Sequence, residues 1–152
     1  MIIPPKITPF LWYDCEAEEA AEFYVSLIPD SRIVDVQRQG EAAFVVSFDL
    51  AGVRFTAING GPGRPHTEAF SIAVTCEDQA EVDRLWAALT DGGKEIQCGW
   101  LVDRFGLSWQ VVPKQFYALM GANTPEQSQR VMQAMMGMVK FDVAALEAAF
   151  AG

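Results

Sequence analysis

Apolar and polar positions along the first sixty residues change rhythm several times, and each rhythm predicts an element. Ile7 to Asp14 (ITPFLWYD) is a short apolar and aromatic run that reads as a strand. From Cys15 to Ile28, the residues Ala17, Ala20, Ala21, Tyr24, Leu27 and Ile28 recur at helical spacing. Asp14 is placed to cap this helix, Glu16, Glu18 and Glu19 suit its positive N-terminal end, and Pro29 stops it. Three extended runs follow: Ser31 to Gln39, then Ala42 to Leu50 with Phe44, Val46, Phe48 and Leu50 on one face, then Val53 to Asn59 after a turn at Ala51-Gly52.

The stretch Asn59-Gly60-Gly61-Pro62-Gly63-Arg64-Pro65-His66 is dense in glycine and proline and reads as a linker, after which the same order begins again. Glu68 to Cys76 alternates, with Phe70, Ile72 and Val74 on one side. Asp78 to Thr90 carries Val82, Leu85, Trp86 and Leu89 at helical spacing, with Asp78 and Glu81 as a capping pair and Asp91-Gly92-Gly93 as the stop. Lys94 to Cys98, Trp100 to Asp103 and Leu107 to Pro113 are short strands, the last two joined by the tight turn Asp103-Arg104-Phe105-Gly106. In the tail, Thr124-Pro125-Glu126-Gln127 starts a helix whose apolar stripe is Val131, Met132, Met135, Met136 and Val139. Asp142 is placed to cap a last helix carrying Val143, Leu146 and Phe150.

The prediction is an α+β fold, residues 1–152 forming a single domain of two βαβββ modules, 5–60 and 67–113, with a helical tail over 114–152. In each module the helix covers one face of a sheet and leaves the other open. Parity puts Phe70, Ile72 and Val74, and Leu107, Trp109 and Val111, under helices. It leaves Ser71, Ala73, Ser108 and Gln110 on the open side, together with Thr8, Phe10 and Trp12 and with Arg54, Thr56 and Ile58. A wall of aromatic rings with a few hydroxyls and amides suits a small, partly apolar molecule. The same polar groups would serve equally to tie neighbouring strands together.

Composition narrows the partners. Eleven basic and 20 acidic residues give a formal net charge of −9, which argues against a nucleic-acid backbone as partner. No apolar run approaches the roughly 20 residues of a membrane span, no secretory signal leads the chain, and the expected location is cytoplasmic. Three cysteines (Cys15, Cys76 and Cys98) without CxxC spacing fit neither a disulfide framework nor a structural zinc site. Cys98, before Gly99-Trp100, is the best candidate for covalent chemistry, although with no histidine base at hand a structural thiol is the favoured reading. His66 stands alone in the linker, where a surface role is favoured over a ligand role.

The double βαβββ order and the D-x-x-G hairpin at Asp103 to Gly106 resemble the vicinal oxygen chelate superfamily (glyoxalase, bleomycin resistance protein and extradiol dioxygenase relatives). More narrowly, Ile7 to Trp12, Glu18-Glu19-Ala20 with Phe23-Tyr24, Asn59 to Pro62, Cys98 to Leu101 and Leu107 to Pro113 resemble its PhnB-like branch, often labelled demethylubiquinone methyltransferase. The resemblance is read over nearly the whole chain, including Arg130 to Met135 in the tail.

The resemblance implies metal-ligand positions on the first, fourth, fifth and eighth strands. They fall near Thr8 or Pro9, at Phe55 or Thr56, at Ser71 and at Gln110. None is histidine or carboxylate, so no metal and no cofactor are expected. The methyltransferase label is treated as inherited nomenclature, because the glycines lie between two strands and the order is not βαβα. The resemblance also implies a homodimer. The expected activity is small-molecule binding through Thr8, Phe10, Trp12, Thr56, Asn59, Ser71, Trp100 and Gln110. One alternative is a PhnB-like lyase or isomerase; another is a partner-binding protein acting through the methionine-rich tail.

Overall fold

The computed structural model describes residues 2–121 and 123–152. The chain forms two compact units, the first ending at His66 and the second spanning Thr67–Gly152. Each contains a four-stranded sheet with the same internal order.

In the first unit, β1 (Phe10–Tyr13), α1 (Ala17–Leu27), β2 (Arg32–Gln39), β3 (Ala42–Leu50) and β4 (Val53–Asn59) form a sheet of order β1-β4-β3-β2. β1 runs parallel to β4, and the other pairs are antiparallel. The β3–β4 hairpin turns on Ala51 and Gly52, with φ of 48° and 84°, the left-handed pair that a two-residue turn between twisted strands requires. Val46, Phe48, Leu50, Phe55 and Ala57 are buried, as are Ala17, Ala20, Ala21 and Tyr24 of α1. The ring of Tyr24 meets Phe48 at 6.4 Å, Phe48 stacks on Phe55 at 5.6 Å, and the Tyr24 hydroxyl lies 3.2 Å from that of Tyr13. α1 therefore covers the face that carries Leu11, Tyr13, Phe55 and Phe48.

Two sequence expectations are corrected here. β1 starts at Phe10 rather than Ile7: Pro9 has no amide to give, and Ile7 is 84% exposed. Asp14 does not cap α1. Glu16 occupies the cap position without a capping side chain, and the free Ala17 amide instead donates to Asn59 Oδ1 at 2.8 Å.

In the second unit, β5 (Ser71–Cys76), α2 (Gln79–Thr90), β6 (Lys94–Glu95), β7 (Trp100–Val102) and β8 (Ser108–Pro113) repeat the arrangement as β5-β8-β7-β6, with β5 parallel to β8. Asp78 caps α2 by accepting from the Glu81 amide, while Glu81 Oε1 accepts from the Glu77 amide. Val82, Leu85, Trp86 and Leu89 of α2 are buried, as are Leu101, Trp109 and Val111. Phe70 lies outside β5 and is 44% exposed, so it is not under the helix. The strand expected over Lys94 to Cys98 closes after Glu95, because Cys98 and Gly99 turn the backbone through φ of 57° and 80°.

The tail forms α3 (Lys114–Gly121), α4 (Pro125–Met136) and α5 (Val143–Ala151). Thr124 and Gln127 close a capping box on α4, and Asp142 accepts from the Ala145 amide to cap α5. Arg130 donates to the carbonyls of Ala149 and Phe150, both at 2.9 Å, where the C-terminal turn of α5 has no partners of its own. Of the expected apolar stripe only Val131 is fully buried; Met132, Met136 and Val139 are exposed. Among the described residues no helix is long and apolar enough to cross a membrane.

Candidate functional site

Register fixes which side chains share each open sheet face. In the first unit Phe10 lies opposite Thr56, which lies opposite Ser47; Trp12 lies opposite Ile58, which lies opposite Val45. These alternate with the helix-covered residues, so Phe10, Trp12, Thr56 and Ile58 stand together on the face away from α1, as parity predicts. Phe10 is 60% exposed, whereas Thr56 is buried on its central strand. At the far end of this face Arg54 binds Asp49 at 2.5 Å and Arg32 approaches the same carboxylate at 3.5 Å. The hydrogen bond from Arg54 is the main cause that holds Asp49 below the ordinary carboxylate range.

In the second unit Ser71 lies opposite Ser108, and Ala73 and Trp100 both lie opposite Gln110. Ser71, Trp100 and Gln110 thus share the face away from α2, and Gln110 Nε2 donates to Ser71 Oγ at 3.0 Å. Ser108 shares this side by register, as expected, but is only 1% exposed.

Two expected site residues stand apart. Thr8 precedes β1, and its hydroxyl is turned back toward the Pro5 carbonyl at 3.5 Å. Asn59 has the parity of Tyr13, not of Trp12, and its amide is spent on structure: Oδ1 accepts from Ala17, and Nδ2 donates to the Ala43 carbonyl at 3.1 Å. Asn59 borders a groove of about 470 Å³ together with Cys15, Glu18 and Arg38, but there the Arg38 guanidinium is already held by Glu18 at 2.7 Å.

The sequence reading missed how Trp12 is held. Its Nε1 donates to the Gly61 carbonyl at 2.9 Å, and a Cβ on Gly60 would lie 2.2 Å from the indole, so the linker can return against this ring only as glycine. The Arg64 guanidinium carbon sits over the same ring, 4.9 Å from its centroid. Trp12 is therefore a fixed pedestal rather than an open aromatic wall. His66 packs edge-on to Tyr13 at 5.1 Å.

The donor chemistry does not fit a divalent ion at the positions the resemblance assigns. Gln110 and Ser71 are neutral and bonded to each other, Thr8 leans on Pro5, and Thr56 is a neutral hydroxyl. Among the described residues no group of three or more histidine, cysteine, aspartate or glutamate side chains is placed to hold a metal. The first strand–helix junction (Asp14-Cys15-Glu16) is acidic and lacks glycine, and among the described residues only β1–β4 and β5–β8 pair in parallel. It does not fit the glycine-rich turn with which a Rossmann domain receives S-adenosylmethionine.

The three thiols differ in environment. Cys76 is buried, and burial above all pushes its pKa up to about 12. Cys15 is exposed, and the Glu16 charge, with smaller effects of desolvation, Asp14 and Glu19, raises its pKa. Cys98 is half-buried, and it is its amide that is anchored, donating to the Met138 carbonyl at 2.8 Å. At neutral pH iodoacetamide is expected to leave Cys76 unmodified in the folded protein and to alkylate Cys15 more slowly than free cysteine. Peptide mass mapping checks both; rapid labelling of Cys76 would show that the α2 core opens.

Comparison with known proteins adds the family. Residues 5–112 match the family model described as 3-demethylubiquinone-9 3-methyltransferase. The chain belongs to this family. The PhnB protein from Bacillus cereus is 33% identical, with a TM-score of 0.67, the alignment covering 71% of this chain and 98% of that one. Protein PA1353 from Pseudomonas aeruginosa is 20% identical at a TM-score of 0.62, covering 72% of this chain and 98% of that one. The fosfomycin resistance protein FosX from Mesorhizobium loti, 12% identical at 0.52 and covering 73% and 92%, shares the fold. That fold is the one of the vicinal oxygen chelate superfamily. No curated protein matches the chain. The family match stops at Val112, so the tail, over which the resemblance was also read, lies outside it.

Proposed function

We propose that this chain binds a small, partly apolar molecule on the open faces of its sheets and does so without a chelated metal. One observation carries the reading: strand register gathers Phe10, Trp12, Thr56 and Ile58 on the side of the first sheet away from α1. Ser71, Trp100 and Gln110 stand together in the same way on the second sheet. Aromatic and aliphatic surface with sparse hydroxyl and amide groups is the usual lining of a small-molecule site. The neutral donors at the positions that chelate metal in related folds favour binding over electrophilic catalysis, and the acidic strand–helix junction supports no methyl transfer.

The test is nuclear magnetic resonance mapping with the neutral aromatic probe 1-naphthamide. Amide shifts are expected at Phe10, Trp12 and Ile58 or at Ser71, Trp100 and Gln110, unchanged by zinc, with Phe10→Ala weakening binding about tenfold, the range for losing a buried aromatic contact. Shifts confined to the Cys15–Asn59 groove, or binding that requires zinc, would overturn the proposal.

A further inference from the structure

We propose that the open face of the first sheet is built for a ligand with a carboxylate or similar compact oxyanion, and that Arg64 recognises it. The inference deepens the small-molecule reading above and rests on it.

The chain carries 11 basic residues against 20 acidic ones, and Arg32, Arg38, Arg54, Lys114 and Lys140 each sit beside a carboxylate. On this face Arg54 and Arg32 are committed to Asp49. Arg64 is different. It is exposed and makes no ion pair among the described residues; its fixed contact is the Trp12 ring, 4.9 Å away at the centroid. The ring is itself immobilised by the Gly61 carbonyl and by the close approach of Gly60. The linker thus folds back so as to hold a guanidinium on the aromatic part of the face rather than on one of the abundant carboxylates.

A guanidinium resting on an indole keeps its N–H groups at the edge for a planar oxyanion, in the bidentate geometry that arginine favours. Stacking costs it none of those donors, while the restricted stem lowers the entropy lost on binding. Phe10 and Ile58, on the same face as Trp12, supply apolar surface for the rest of the ligand. The net charge of −9 repels anions at long range, but screening over about 8 Å at physiological salt leaves the local cation to decide the contact.

Calorimetry on the full chain with 1-naphthoate and its neutral amide, 1-naphthamide, separates the two proposals. The wild type is expected to bind the carboxylate more tightly. Arg64→Gln is expected to weaken it about tenfold, as for loss of a charge-assisted hydrogen bond, and to leave the amide within about twofold. Arg64→Lys, with the charge but not the fork, should fall between. Equal wild-type affinities for the two probes, or an equal loss of both in Arg64→Gln, would overturn anion recognition and leave small-molecule binding standing. If neither probe bound the wild type, both proposals would fall.

Discussion

Asp103→Ala is expected to destabilise the second unit by about 3–5 kcal/mol, the scale of orphaning several buried donors at once. The carboxylate is 2% exposed and serves three of them. Oδ1 accepts from the amides of Phe105 at 2.8 Å and Leu107 at 3.0 Å, and Oδ2 accepts from Trp109 Nε1 at 2.9 Å. The first two bonds hold the β7–β8 turn, which the Gly106 amide closes on the Asp103 carbonyl at 3.0 Å. The third fixes the largest fully buried side chain of the unit in its rotamer. Asparagine keeps an acceptor for the turn but presents N–H₂ to the indole N–H, so Asp103→Asn should still cost about 2 kcal/mol. Trp109→Phe removes the opposed donor. The loss in Asp103→Asn combined with Trp109→Phe should therefore be smaller than the sum of the single losses in urea unfolding. An Asp103→Asn protein as stable as the wild type would show that the indole bond contributes nothing.

That carboxylate also marks where the sequence was legible. The D-x-x-G pattern spans only four residues, so Asp103 to Gly106 could be read as a turn. Its second oxygen serves Trp109, six residues on and on the helix-covered side, and no local pattern points there. β3 and β4 could be read to the residue, because strict alternation meets a two-residue turn between them. Phe10, Trp12, Thr56, Ile58, Ser71 and Gln110 follow as one open-face set from parity alone, since a strand has only two sides, whereas Trp100 joins them through its register with Gln110. Asn59 was misassigned for a tertiary reason: the donor it satisfies, the Ala17 amide, is 42 residues away. Thr8 falls outside the strand because Pro9 has no amide to give, and Ser108 shares the face of Ser71 and Gln110 by register yet is buried there. Arg64 left no trace in periodicity, because only the return of a glycine-rich loop onto Trp12 brings it to the sheet.

The second large effect couples Phe141, outside the family match, to Gly99, inside it. Phe141 is 2% exposed, and the two amides at the Cys98–Gly99 corner donate to the carbonyls of Met138 and Val139, each at 2.8 Å. Gln79 of α2 grips the same segment, donating to the Phe141 carbonyl at 2.9 Å and accepting from the Val143 amide at 2.7 Å. The tail is thus part of the second unit's core, and Phe141→Ala is expected to cost about 3–5 kcal/mol, as for other buried phenylalanines. Gly99 is where the two meet. Its φ is 80°, and a Cβ there would lie 2.5 Å from the Phe141 ring and 2.9 Å from the Val111 carbonyl oxygen. Gly99→Ala should therefore cost about 2–4 kcal/mol, combining left-handed strain with overpacking. The contact with the ring disappears when Phe141 is also alanine, whereas the strain and the Val111 contact remain. The double variant should lose less stability than the sum of the two singles, by at least about 1 kcal/mol, the coupling expected of residues in direct contact. Strict additivity would mean that the phenyl ring does not seat on the corner, and that the tail is held by the backbone bonds and Gln79 alone.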